Sequence, residues 1–305
     1  MLPITSCLEF RYPGDGCLAV VRDSLQRICE EFLASGLADP KFEAELTSGS
    51  DAKFWSCVSE ALIYQRLRRK TFAPRSRVGN GPDFLLELGS KRLWIEVTCP
   101  EPTGVPPDWL HIQTNSVTSV PHEAILLRWT SAIKTKAEGL VGSEDGKKPG
   151  YLQAGLVSPD DIYVIAINGC QMRHGPFSSL HGISQFPYAA EAVFPIGPYQ
   201  IQIDRETLKT VGSGHLHRLA IKKLNGSSVP THAFLDPRNQ MVSAIWAVDF
   251  TGFGAIGNPE PSALIHNPSA LNPLPRGFLP VDYEYEATPL GDEQLLLQRV
   301  GSREE

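Results

Sequence analysis

Two acidic residues, Asp83 and Glu96, belong to a stretch of sequence that has the pattern of a β-hairpin. Residues 84–88 and 93–98 are short runs of strand-forming side chains, and the Gly-Ser pair between them is typical of a turn. Asp83 precedes the first predicted strand, and Glu96 lies inside the second. The hairpin therefore predicts that two carboxylates from neighbouring strands come close together.

Glu96 shares one face of the second predicted strand with Trp94 and Thr98, because side chains alternate along a strand. A carboxylate embedded in a sheet needs a partner, since burying it alone costs several kcal/mol. Two neighbouring carboxylates also repel each other and raise each other's pKa. A divalent cation removes both problems, and a few hard oxygen ligands completed by water suit Mg²⁺. The pattern thus predicts a Mg²⁺ site.

The Pro82-Asp83 pair, the hairpin and the triplet Glu96-Val97-Thr98 resemble the signature of the PD-(D/E)XK nuclease superfamily over about residues 50–170. The resemblance implies an α/β, restriction-endonuclease-like fold, in which helices flank a mixed central sheet. It implies hydrolysis of phosphodiester bonds with Mg²⁺ or Mn²⁺. The implied metal ligands are Asp83, Glu96, the Val97 carbonyl and Glu60 from an upstream helix. The departure is Thr98, where the family usually has a lysine, because threonine cannot place a positive charge at a phosphate.

Residues 122–141 predict a helix after the hairpin, and this helix carries a candidate for the missing lysine. On a helical projection Lys136 falls within the apolar arc that contains Trp129 and Ile133, whereas Lys134 falls on the far side. Relocation of the lysine to a helix resembles a variation within the superfamily, and it makes Lys136 the fourth catalytic candidate. The alternative is that Lys136 extends along the core and carries its amine to water.

Residues 51–70 predict the upstream helix that carries Glu60. The neighbours of Glu60 at helical spacing, among them Cys57, Ile63 and Leu67, are mostly not typical of a solvent-exposed face. An acid in this setting is a metal-ligand candidate. The alternative is an edge acid that pairs with a nearby arginine.

Six positive charges fall within twelve residues at the end of this helix and in the loop that leads to the hairpin. A basic run beside a metal site suits a phosphodiester backbone, although such runs are most often solvated faces. Arg128, at the edge of the apolar arc in the later helix, is the second candidate to replace the missing lysine and a further predicted phosphate contact. The predicted nucleic-acid contacts are Arg66, Arg69, Lys70, Arg75, Arg77 and Arg128.

The element order predicts one elaborated domain over residues 1–305, with a core at about 17–170 and a β-rich accessory region at about 171–305. Within the core, helix, two-strand hairpin, helix and strand (161–168) follow one another, which is the order expected of the nuclease-like fold. A packing helix is predicted at 17–36, and residues 1–16 are expected to be irregular.

Composition limits the classes of function. The net charge of −6 argues against a protein that coats nucleic acid nonspecifically, but it leaves room for a local basic groove. No window of 18 apolar residues exists, and the first residues lack the order of a signal peptide. Six scattered cysteines favour free thiols in a reducing compartment. We therefore expect a cytoplasmic protein with no membrane partner.

The leading hypothesis is a metal-dependent endonuclease that acts on DNA rather than RNA. The sequence leaves the oligomeric state open, and a homodimer is one candidate. The first alternative is a catalytically inactive nuclease-fold protein that binds nucleic acid or a protein partner, because Thr98 replaces the motif lysine. The second alternative is an unrelated α/β enzyme for a small acidic ligand, which would need a deep closed pocket.

Overall fold

The computed structural model describes residues 3–74, 81–111, 117–289 and 295–301. The two predicted nucleic-acid contacts Arg75 and Arg77 lie outside these described residues. Seven α-helices are described, at α1 (Ile4–Arg11), α2 (Cys17–Ala34), α3 (Phe42–Leu46), α4 (Asp51–Leu67), α5 (Pro107–Leu110), α6 (His122–Val141) and α7 (Tyr188–Val193). Within the same residues there are eleven strands, at β1 (Phe84–Leu88), β2 (Lys91–Thr98), β3 (Ile162–Asn168), β4 (Ile196–Ile203), β5 (Thr210–His217), β6 (Ala220–Lys222), β7 (Ser228–Pro230), β8 (Ala244–Val248), β9 (Ser262–His266), β10 (Tyr283–Pro289) and β11 (Leu295–Val300).

Seven strands form a mixed central sheet in the order β1-β2-β3-β8-β9-β10-β11. The β1–β2 hairpin is antiparallel, whereas β2, β3 and β8 run parallel to one another. β9 runs antiparallel to β8, and β10 runs parallel to β9 before the final antiparallel strand. Two further antiparallel pairs, β4–β5 and β6–β7, lie outside this sheet. The strands after residue 171 thus both extend the central sheet and add two hairpins.

Helices cover both faces of the central sheet and bury one apolar core on each side. The first core combines α2 and α4 with side chains such as Ile95 and Val97 of β2. The second combines α6 and α7 with Trp94 of β2 and with Tyr163 of β3. Because side chains alternate along β2, Glu96 lies on the α6 face of the sheet and α4 covers the opposite face.

The predicted elements that surround the acids are confirmed. Residues 51–67 and 122–141 are helices, the hairpin has the predicted strands, and β3 is buried along its whole length. The prediction for residues 1–16 is wrong, because α1 forms over Ile4–Arg11 and buries Ile4, Cys7 and Leu8. This short helix has one apolar side packed on the first core, and Pro3 immediately precedes it.

In the described part of the chain, no helix is long and apolar enough to cross a membrane. All six cysteines are free thiols, five of them buried and Cys17 exposed.

Candidate active site

The β1–β2 hairpin brings Asp83 and Glu96 together. Phe84 pairs with Ile95, so extending the register by one position places Asp83 opposite Glu96. Side chains opposite each other on an antiparallel pair have Cβ atoms about 5 Å apart. Asp83 Oδ2 accepts a hydrogen bond of 2.6 Å from the Val97 amide, which fixes this carboxylate at the point where β1 begins.

Lys136 reaches the same place from α6. Its Nζ donates to Glu96 Oε1 over 2.6 Å, and a quarter of its side chain remains exposed. The structure therefore places the helix lysine at the acid pair, as the helical projection predicted. The alternative was that the Lys136 side chain extends along the core and leaves its amine in water. The amine instead donates to the Glu96 carboxylate.

A tyrosine that the sequence did not single out completes the contacts of Glu96. Tyr151 donates its hydroxyl to Glu96 Oε2 over 3.4 Å, at the long limit of a hydrogen bond. It follows the polar, glycine-containing segment 143–150, and it carries no periodic signal that would mark it as a site residue. Tyr163 of β3 is fully buried, and among the described residues its hydroxyl has no hydrogen-bond partner.

The electrostatics of the site are dominated by burial. Burial raises the pKa of Glu96 to about 7, the Asp83 carboxylate adds to this rise, and Lys136 and Tyr151 oppose it. Burial disfavours the charged form of Lys136, but the carboxylates of Glu96 and Asp83 outweigh it and hold the pKa of Lys136 above its ordinary value. Burial, with the nearby Glu96 carboxylate, raises the pKa of Tyr151 to about 12. At neutral pH the lysine is therefore charged and Tyr151 is a donor.

The donor set suits a hard divalent cation. Two carboxylates lie on adjacent strands, and burial together with the Asp83 carboxylate raises the pKa of Glu96. In an extended strand the amide and the carbonyl of one residue point to the same side, so the Val97 carbonyl faces the side from which its amide bonds Asp83. In the described ranges no group of three or more His, Cys, Asp or Glu side chains is placed to hold a metal.

The other predicted site residues lie elsewhere. Glu60 is on α4, whose buried side packs on the opposite face of the sheet from Glu96, and its role as a ligand stays a prediction. Arg66, Arg69 and Lys70, at and beyond the end of α4, line a cavity of about 640 Å³ that also contains Asp282 and Glu284. Their contact with phosphate also stays a prediction.

Two of these cations rest on aromatic rings, since the Arg66 guanidinium lies 4.7 Å from the centre of the Phe250 ring and the Lys70 amine lies 4.2 Å from that of Phe278. Arg128, by contrast, is on α6, the helix of Lys136, and its Nε donates to the Glu101 carbonyl over 2.7 Å.

A buried carboxylate holds β2 in place next to the site. Asp161, just before β3, accepts two hydrogen bonds from the Arg92 guanidinium, at 2.9 and 2.7 Å. It also accepts from the Trp94 indole at 2.9 Å and from the Ser158 amide at 2.8 Å. These bonds join β2 to the start of β3, two positions before Glu96, and so fix the strand that carries the site.

A second buried cluster holds the first turn of α6. Glu191 of α7 has no exposed surface, and its Oε2 lies 2.6 Å from Arg218 Nη2 and 2.8 Å from His122 Nε2. Burial would raise the pKa of Glu191, but hydrogen bonds from His122, Ser184 and Arg218 outweigh it and lower that pKa below the ordinary value. No sequence pattern indicates this cluster, because its members are far apart in the chain.

In comparisons with protein-family models, with curated proteins and with solved structures, no match to this chain was found. The resemblance to the PD-(D/E)XK nucleases thus depends on this chain's own residues.

Proposed function

We propose that this protein is a metal-dependent nuclease that hydrolyses phosphodiester bonds, with DNA as the preferred substrate. The observation that carries the proposal is the ion pair of Lys136 with Glu96 beside Asp83, since it supplies a lysine at the acid pair despite Thr98. The order of α4, β1, β2, α6 and β3, with β2 and β3 parallel, supports a restriction-endonuclease-like core.

Asp83, Glu96 and the Val97 carbonyl would hold Mg²⁺ or Mn²⁺. The Glu60 carboxylate, on the helix that covers the opposite face of the sheet, stays a predicted ligand only. Such a cation supplies Lewis acidity and lowers the pKa of a bound water when it is present. Lys136 places a fixed positive charge next to the carboxylates, where it stabilises negative charge that develops on a phosphate. Tyr151 orients Glu96 through its hydroxyl.

Plasmid cleavage tests this proposal. Supercoiled DNA is incubated with Mg²⁺ or Mn²⁺ and with the wild type, Asp83→Asn or Lys136→Met. Loss of a catalytic donor or general base typically costs about 10²-fold or more, so both variants should lose nearly all cleavage. Two matched controls should cleave like the wild type. Glu87→Gln removes an exposed acid of the same strand, and Lys53→Met removes a helix lysine that pairs with Glu45 over 3.5 Å.

Each outcome has a separate meaning. Cleavage that survives Asp83→Asn belongs to another site or to a contaminant and overturns the proposal. Cleavage that is lost in Asp83→Asn but kept in Lys136→Met leaves the acid pair and removes the lysine's role. Thermal stabilisation by Mn²⁺ gives a readout without turnover, and it should disappear in Asp83→Asn.

The second candidate is a nuclease-fold protein that binds nucleic acid or a protein partner without cutting. Thr98 favours it, because the position where the family carries lysine has lost its charge. In that case the wild type binds DNA but cleaves with neither metal.

A further inference from the structure

A positively charged groove lies on the α6 side of the molecule. It encloses about 690 Å³ between α6 and the β6–β7 hairpin. Its charged lining consists of four cations, Arg128, Lys134, Lys222 and Lys223, and one acid, Glu123. In a chain of net charge −6, a local excess of this sign creates an attractive field for anions.

The two hairpin lysines are available for a ligand. Lys222 and Lys223 are exposed, and within the described ranges neither has a carboxylate at ion-pair distance. Lys134 is partly engaged, because it lies 3.5 Å from Glu138. The Arg128 guanidinium uses its Nε on the Glu101 carbonyl, and among the described residues its two terminal nitrogens have no hydrogen-bond partner.

The β6–β7 hairpin is anchored at its base and closed by backbone hydrogen bonds at its tip. Ile221, which is 2% exposed, anchors it in the second core, and Lys222 pairs with Ser228. The tip is closed by hydrogen bonds between Lys223 and Ser227 and between Gly226 and Lys223, and Gly226 takes the positive φ of +82° that the turn requires. Leu224 at the tip is fully exposed and is free to contact a ligand.

The groove and the acid pair are close to each other. Lys136 and Arg128 are eight residues apart on one helix, which corresponds to about 12 Å along its axis. The Glu101 carbonyl that binds Arg128 follows Glu96 by five residues, so the chain limits their separation to roughly 17 Å. About five phosphates of one DNA strand cover that distance.

We infer that this groove holds the phosphodiester backbone of duplex DNA and that the tip of the β6–β7 hairpin enters a groove of the duplex. This inference rests on the proposed function and names its substrate and contact surface. The major groove of B-DNA, about 12 Å wide, admits a two-stranded β-ribbon, whereas the deep major groove of A-form RNA does not. Lys222 and Lys223 then neutralise phosphates, and Leu224 contacts the duplex between them.

Equilibrium binding in EDTA tests the inference without cleavage. Fluorescence anisotropy is measured on a labelled 30-base-pair DNA duplex over a series of salt concentrations. Each neutralised phosphate contributes about 0.9 to the slope of log K against log salt, so Lys222→Ala/Lys223→Ala should lower that slope by about 1.8. At 0.1 M salt the same change weakens binding by a factor on the order of 50. Leu224→Ser should weaken binding and leave the slope unchanged.

The matched control is Lys147→Ala/Lys148→Ala, which removes two consecutive exposed lysines of another loop. It should leave both affinity and slope unchanged. An equal effect of the two double variants overturns the groove assignment, as does a wild type that fails to bind DNA. Equal affinity for an RNA duplex of the same sequence overturns the choice of DNA. Binding through the groove without any cleavage leaves this inference intact and overturns the catalytic proposal, so the two failures are distinguishable.

Discussion

The Lys136 ammonium lies 2.6 Å from Glu96 Oε1, although the two residues are 40 positions apart and come from a helix and from the sheet beneath it. The pair is largely buried on the Glu96 side and a quarter exposed on the Lys136 side. A buried charge that loses its partner is costly, whereas the intact pair adds little over neutral residues. Lys136 thus both completes the candidate site and compensates a buried carboxylate.

A double-mutant cycle measures this coupling. Lys136→Met should reduce the free energy of unfolding by about 2 kcal/mol, below the 3–5 kcal/mol of a fully buried pair because Lys136 is partly exposed. In a Glu96→Gln background the same change should cost about 1 kcal/mol or less. Urea denaturation checks both values, with Lys53→Met as the control for loss of a surface lysine. Equal costs in the two backgrounds would mean that the two charges do not interact.

Asp161 should contribute to stability through the strand that carries Glu96. Asp161→Ala leaves the buried Trp94 indole N–H and the Ser158 amide without an acceptor, and each such loss costs about 1–3 kcal/mol. We expect the free energy of unfolding to fall by about 3 kcal/mol. Asp160→Ala, at the exposed neighbouring position, should stay within about 0.5 kcal/mol. A small effect at Asp161 would show that these donors find water.

The Glu191 cluster predicts a pH dependence of stability. The pKa of Glu191 is lowered in the folded protein, so its contribution is present above the ordinary glutamate value of 4.5 and is lost as pH falls below it. Glu191→Gln leaves the buried Arg218 without a charge partner and should cost about 3 kcal/mol at pH 6. The difference between the wild type and this variant should therefore shrink as pH falls from about 5 to about 3. A difference that is constant with pH contradicts the assignment.

Gly150 sets the position of Tyr151. A Cβ at residue 150 would collide with the backbone of Leu140 and Gly142 at the end of α6, where no side chain can move aside. Gly150→Ala should lower the free energy of unfolding by about 1–3 kcal/mol, because crowding of this kind forces backbone shifts. Gly214→Ala is the control, since a Cβ there meets no atom within 4 Å. Chemical denaturation of both variants checks the prediction. Equal stability of the two variants would mean that the backbone of Leu140 and Gly142 can move to make room for a side chain at residue 150.

The sequence was most informative where one periodic pattern extended over a whole element. The helix over residues 122–141 and the buried strand β3 follow from hydrophobic spacing, and the projection of that helix correctly separated Lys136 from Lys134. The sequence also predicted that Asp83 and Glu96 lie close together. This was predictable because the register of a hairpin depends on residues that are near one another in the chain.

What the sequence could not predict depends on pairing between distant segments. Tyr151 reaches Glu96 only because the chain folds back after α6, and nothing in residues 143–150 encodes that return. The basic run at the end of α4 lay near the hairpin in sequence, yet α4 covers the opposite face of the sheet. The groove that we assign to DNA combines α6 with a hairpin almost a hundred residues later.

The pairing of β3 with β8 also has a consequence for synthesis of the chain. Asn168 of β3 pairs with Val248 of β8, and the ribosome must add 80 residues after Asn168 before Val248 is synthesised. At roughly 5–20 residues per second this delay is on the order of 4–16 seconds. During that interval β3, whose residues are all buried in the folded protein, has a hydrogen-bonding edge with no neighbour, and such edges promote aggregation. Nascent chains should therefore depend on chaperones until β8 has emerged.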